Sequence, residues 1–188
     1  MAKGRVLNTT ISLMVAFLCG GVIGWVYEVF LCGPFNGDGI DLGHGGIGIP
    51  FLAIYAVGAL AIEVVFGCNR KQFNPFLQIL ACALLCTALE YAAGLLMLHG
   101  LGVQTWDYRT PGWDFLATPD GLICFRASLT FGLMGLLQLR AVRALRVRLI
   151  AANAKATLIV CAILIAIVIF ALLNAMVFHW IDVGETWH

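Results

Sequence analysis

Five apolar runs, each close to the length a helix needs to cross a lipid hydrocarbon core, constrain this chain more than any other feature. About 20 apolar residues span a core of about 30 Å, and residues 11–32, 46–66, 76–99, 121–139 and 156–180 qualify. Their shared length points to α-helices, since backbone polar groups in lipid must be satisfied within the segment. Composition agrees: of 188 residues, 62% are hydrophobic and 11% charged, where soluble domains carry roughly 45–50% and about 25%. The expected fold class is therefore all-α, a polytopic integral membrane helix bundle of about five transmembrane helices. Residues 1–188 form a single membrane domain in this reading, with a core over 11–139, a basic connector over 140–155 and an appended fifth helix over 156–180. The first run is too long for a signal peptide and has no small-residue cleavage site, so it is expected to stay as a helix.

Charge placement orients the bundle. Lys3, Arg5, Arg70, Lys71, Arg140, Arg143, Arg146, Arg148 and Lys155 all fall on one side, while Asp38, Asp41, Asp107, Asp114, Asp120, Asp182 and Glu185 fall on the other with only Arg109 among them. Basic residues mark the cytoplasmic side, so the N-terminus is expected in the cytoplasm and the C-terminus outside. In the connector, Leu139, Val142, Leu145 and Leu149 share a helical face, which predicts an interfacial extension whose arginines meet membrane lipid headgroups. A partner-docking surface is the sharper reading of the same arginines. The formal net charge of +1 excludes a nucleic-acid partner, which requires clustered excess positive charge.

Ionisable residues inside apolar spans are expensive, and they usually pair, face a cavity or mark a pathway. Glu63 sits about one turn from a helix end and is expected to reach the interface. Glu90 lies near mid-helix, roughly 13 Å below His99 at 1.5 Å per residue. Counting in fours gives Cys82, Cys86, Glu90 and Gly94, and likewise Gly20, Gly24 and Glu28. Small-residue stripes face other helices rather than lipid, so both acids are expected to point into the bundle. Arg126 has the reach to pair with them, which predicts a Glu28, Arg126 and Glu90 cluster in the outer half. Two acids against one base would hold a proton, a cation or a cationic ligand group, or the three side chains would only set helix register. Trp25, Tyr55, Tyr91, Trp106, Asp107 and Tyr108 gather at similar depth, and the last three are placed to fold over the cluster as a lid. An interfacial aromatic belt is the plainer explanation of some of them.

The ordered set of Gly24-Trp25 with Glu28, residues 50–60 reading PFLAIYAVGAL, Leu89-Glu90-Tyr91 with Gly94, Trp106-Asp107-Tyr108, and Arg126 with Ser128 and Gly132 resembles a family of bacterial membrane proteins described as ABC-transporter type IV permeases. The resemblance covers about 11–139 and implies a multi-pass protein of the bacterial inner membrane. It also implies that Trp25, Glu28, Pro50, Tyr55, Glu90, Tyr91, Trp106, Asp107, Tyr108 and Arg126 occupy characteristic positions. Gly48, Ile49 and Ala53 stand where the family tends to have a Gly-Pro pair and a second proline.

Other motifs point away from chemistry. Gly43, Gly45 and Gly48 match a dinucleotide-binding spacing but lead into a membrane helix with no preceding strand. No GxxxxGK[ST] phosphate loop occurs, so any ATPase would be a separate polypeptide. No cofactor motif occurs either, and the polar loop bearing Asp38, Asp41 and His44 reads as an ordinary loop rather than a metal site. Seven cysteines lack paired metal-ligand spacing and read as small core residues, Cys32 and Cys124 included.

The leading expectation is a small transport-type protein with its solute or ion site at the charged cluster. It would work beside a separate ATPase or other membrane subunit, or as a homo-oligomer. Two other readings use the same residues. In one, a membrane-embedded enzyme acts on a lipid-linked substrate with Glu28 or Glu90 as general base; in the other, a non-catalytic scaffold uses the triad as a register lock.

Overall fold

The computed structural model describes residues 2–67 and 74–182, and among them all regular structure is helical. Cys68, Arg70, Lys71 and Glu185 lie outside the described residues. Helix α1 runs Ala2–Tyr27 and passes into a π-helical turn over Glu28–Cys32. The short helix α2, Gly33–Asn36, follows with Pro34 in its first turn and ends where Gly37 turns left-handed at φ 88°. Helix α3, Ala53–Ile62, again passes into a π-helical turn, Glu63–Gly67. Thus Glu28 and Glu63 each open a widened turn, a feature that often accompanies functional positions in helices.

Helix α4, Pro75–Leu95, begins with Pro75 in its first turn and with Asn74 Oδ1 accepting from the Phe76 N–H at 2.9 Å. Proline costs nothing where the N–H has no intrahelical partner, and Asn is a preferred cap. A π-helical turn, Leu96–Leu101, closes at Gly102 with φ 69°. Helix α5, Phe125–Leu137, is capped by Cys124, whose sulfur accepts from the Ala127 N–H at 3.3 Å. After a π-helical turn over Gln138–Val142 comes α6, Arg143–Asp182, broken at Asn153 (φ −164°, ψ 98°). Asn153 Oδ1 then accepts from the Ala156 N–H at 3.0 Å, so the residue that ends the arginine-rich piece caps the apolar piece after it.

Among the described residues, three helical stretches are long and apolar enough to cross a membrane: Gly4–Asn36, Pro75–Leu101 and Phe125–Met176. The structure thus supports three such stretches where five were expected, for two reasons. The second run is shortened to Ala53–Gly67 because Gly45, Gly46 and Gly48 have positive φ, which no right-handed helix contains. The fourth and fifth runs join through continuous helical turns into one stretch interrupted only at Asn153.

The chain folds as two compact units, residues 1–60 with 142–188, and residues 61–141. In the first, Ile11 and Val15 of α1 pack with Val142 and with Cys161 of α6, and Leu149 and Ile150 join them from the connector. Val142 is buried in this cluster and Leu149 packs against it, whereas Leu145 is exposed. Gly20 and Gly24 receive α3: a methyl at Gly20 would strike the Ala59 side chain, and one at Gly24 would strike the Tyr55 ring.

In the second unit α4 and α5 pack antiparallel, with 82 against 135, 87 against 128, and 94 against 122. A Cβ on Gly132 would lie 2.6 Å from the Ile79 carbonyl oxygen. Cys82 and Gly94 are buried, while Phe76, Leu84, Leu96, Leu129 and Leu133 point outward. Small residues inside and large apolar residues outside is the arrangement for which hydrocarbon, not water, is the surrounding solvent.

Candidate functional site

Glu90 occupies the stripe of α4 that faces α5 and is only 7% exposed. A carboxylate so placed needs hydrogen-bond donors, because leaving an acceptor unmet in a low-dielectric interior costs about 1–3 kcal/mol or more. Tyr108, from the loop between α4 and α5, supplies one: its hydroxyl donates to Glu90 Oε1 at 2.7 Å. One turn earlier on α4, Thr87 Oγ1 donates to Ser128 Oγ at 2.8 Å, and Ser128 in turn donates to the Cys124 carbonyl at 3.0 Å.

The loop over residues 102–124 is tied down at many points rather than draped. Trp106 Nε1 donates to the Leu122 carbonyl at 3.0 Å, and its ring covers Gly94. The Tyr108 N–H donates to the Gly121 carbonyl at 2.9 Å. Asp107 accepts from the Arg109 backbone N–H at 2.9 Å and from its Nη2 at 2.5 Å, a two-pronged pair exposed to solvent. The Arg109 side chain holds the Asp107 carboxyl down at about 2, and the carboxylate raises the Arg109 guanidinium in return. Asp120 is lowered as well, first by the Thr118 hydroxyl and then by the Leu122 N–H. Gly121, with φ 74°, is required twice over, since a side chain there would run into the Asp107 carboxylate.

Arg126, in the first turn of α5, lays its guanidinium 4.1 Å over the Trp113 ring and donates to the Gly112 carbonyl at 3.1 Å. Trp113 in turn lies 5.6 Å from the Tyr108 ring. A chain of contacts therefore runs Glu90, Tyr108, Trp113, Arg126, so that two aromatic rings connect the buried carboxylate with the guanidinium. Cation–π contacts of this kind contribute about 0.5–2 kcal/mol.

The remaining expected residues belong to the first unit or to the loop's edge. Glu28 Oε1 accepts a short hydrogen bond from the Tyr55 hydroxyl, with the Tyr27 ring tilted against the Tyr55 ring at 6.2 Å. Trp25 Nε1 donates to the His44 carbonyl at 3.1 Å. Tyr91, outward on α4, donates to Asp120 Oδ2 at 3.1 Å. The structure thus brings Tyr108 onto Glu90 and Tyr55 onto Glu28, while Asp107 is held by Arg109. Glu63, expected at the interface, is instead buried at 6% exposure.

Sequence reasoning gave no part in the site to Trp113, Asp120, Gln104 or the Thr87–Ser128 pair. A tryptophan directly after a glycine in a polar loop, 13 residues before the intramembrane Arg126, was the available signal for Trp113. Among the described residues no group of three or more metal-ligating side chains occurs, and the cysteines are free thiols.

Apolar helices of membrane-crossing length, packed on small residues around a hydrogen-bonded carboxylate, define a helical membrane protein. Residues 15–176 match the family model described as "Putative ABC-transporter type IV", and the chain belongs to that family. The match runs past the connector to the last helix. No curated protein and no solved structure matches the chain.

Proposed function

We propose that the chain is a permease-type transport subunit whose solute or ion site centres on Glu90, beneath the loop that carries Trp106 and Tyr108. The observation that carries this reading is the buried Glu90 carboxylate with a side chain from a loop, Tyr108, donating to it. A loop residue can leave and return, while a helix residue is locked by packing. Any solute that takes the place of the Tyr108 hydroxyl on Oε1 must itself donate, which selects an ammonium, a hydroxyl or a hydrated cation. Trp113, against the Tyr108 ring, and Arg126 over Trp113 are proposed as the far side of the site, and Glu28 with Tyr55 as a second binding carboxylate in the first unit.

In this reading the basic side faces the cytoplasm of a bacterial inner membrane, the N-terminus lies inside and the C-terminus outside. Its support is the segregation of charge along the chain. The 52-residue stretch from Phe125 to Met176 would be about 78 Å long as one helix, over twice the hydrocarbon depth, so two crossings suit it better than one, and insertion of the shorter Ala53–Gly67 helix would restore the odd number that separates the termini. The arginine-rich connector would sit against anionic lipid headgroups. Energy would come from a separate ATPase, because the chain has no phosphate-binding loop.

Flux of small organic and inorganic cations in reconstituted vesicles tests the proposal, with a co-purified ATPase added back where one is recovered. Glu90→Gln, which keeps the shape and removes the charge, is expected to lower flux of the transported cation at least about tenfold. Equal flux in the parent and in this variant, for every cation that the parent moves, overturns the site.

A further inference from the structure

Five residues before α5 begins, the turn over residues 118–122 gathers an unusual share of the loop's hydrogen bonds onto Asp120. Its Oδ1 accepts from Thr118 Oγ1 at 2.5 Å and from the Leu122 N–H at 3.1 Å. Its Oδ2 accepts from the Tyr91 hydroxyl on α4 at 3.1 Å, and its main-chain carbonyl accepts from Gln104 Nε2 at 3.0 Å. The same turn receives the segment that covers Glu90, since Trp106 donates to the Leu122 carbonyl and the Tyr108 N–H to the Gly121 carbonyl. Every tie between the turn and α4 or the 104–108 segment thus involves Asp120 or one of the two residues after it.

We propose that Asp120 is the positioning residue of the Glu90 site: through the turn it organises, it holds the Trp106 to Tyr108 segment against α4 and keeps the Tyr108 hydroxyl over the carboxylate. Asp120 does not touch Glu90 itself. Its three side-chain bonds add to the ties that Thr118, Arg109 and Trp106 make to the same turn, and each bond contributes a modest net stabilisation. Releasing the turn releases the cover. Tyr91 is the link on the helix side, so its hydroxyl reports the docking of the turn independently of the aspartate.

Access to the Glu90 carboxyl measures this directly and without any transported solute. The full-length protein in lipid vesicles is treated with a hydrophobic carbodiimide, and modification of Glu90 and Glu28 is followed by peptide mass spectrometry. Asp120→Ala is expected to speed Glu90 modification about fivefold or more, and Tyr91→Phe about twofold. Asp120→Asn, which retains a carbonyl acceptor for Leu122, is expected to fall between Asp120→Ala and the parent. Glu28, hydrogen-bonded to Tyr55 in the other unit, is expected to react at the parental rate throughout. An unchanged Glu90 rate in Asp120→Ala, or a parallel rise at Glu28, overturns the proposal, the second because it marks general loosening. If Asp120→Ala does not fold, Tyr91→Phe and Thr118→Val decide, and no rise at Glu90 in either overturns it. Glu90 rates that rise as expected in a protein whose parent form moves no cation above background would count against the transport reading alone.

Discussion

Tyr108 reaches back 18 residues along the chain to donate to Glu90, so the carboxylate near the end of α4 receives a hydrogen bond from the loop that follows the helix. The loop is therefore part of the membrane unit's energetics. Removing either partner alone leaves the other with an unmet polar group, whereas removing both together need not.

Tyr108→Phe is accordingly expected to lower the unfolding free energy in detergent by about 1–3 kcal/mol. Adding Glu90→Leu to the same chain should recover much of that loss, because the buried acceptor goes with its donor. A denaturant titration that finds the double variant less stable than Tyr108→Phe would show that this hydrogen bond is not what holds the loop.

Gly132 lets α5 approach the backbone of α4, with no room for a side chain against the Ile79 carbonyl. Gly132→Val should cost about 1–3 kcal/mol through overpacking. Leu133→Val, at the neighbouring outward position, should stay within about 0.5 kcal/mol. Thermal or denaturant unfolding of the two variants side by side decides the matter; equal losses would mean that the small face is not the packed one.

Trp113 gives Arg126 a platform as well as a neighbour. Trp113→Leu should lower stability by about 0.5–2 kcal/mol, and Trp113→Phe should restore part of it because a smaller ring still offers a π face. Leucine and phenylalanine variants of equal stability would assign the contact to packing alone.

Asp107 titrates below its ordinary value because Arg109 favours its charged form. Its folded value lies below its unfolded one, so the pair's contribution is fully present above the ordinary value of 3.8 and is lost as pH falls through about 2. NMR observation of the Asp107 carboxyl carbon should give a midpoint near 2, and Arg109→Gln should return it toward 3.8. A midpoint unmoved by the substitution would remove Arg109 as the cause.

Much of the architecture is readable in the sequence because lipid imposes local rules. Runs of apolar residues announce helices, and the spacing of Cys82, Glu90 and Gly94 places them on the face that is in fact buried. The same rules misplace what depends on backbone conformation. The start of α3 at Ala53 follows from left-handed glycines at 45, 46 and 48, and the break at Asn153 from a capping bond. Neither registers in a hydropathy average. Trp113 and Asp120 escape for another reason, since a polar loop carries no periodicity from which partners could be read.

The sequence by itself determined that this is a helical membrane protein and that Glu90 lies on the packed face of its helix, because hydrocarbon tolerates few charges and every residue's cost there is its own. Only the tertiary structure decided what meets those carboxylates: Tyr108 on Glu90, Tyr55 on Glu28, and Trp113 under Arg126. Those pairings join residues far apart in the chain, and they depend on how a loop closes over its helices.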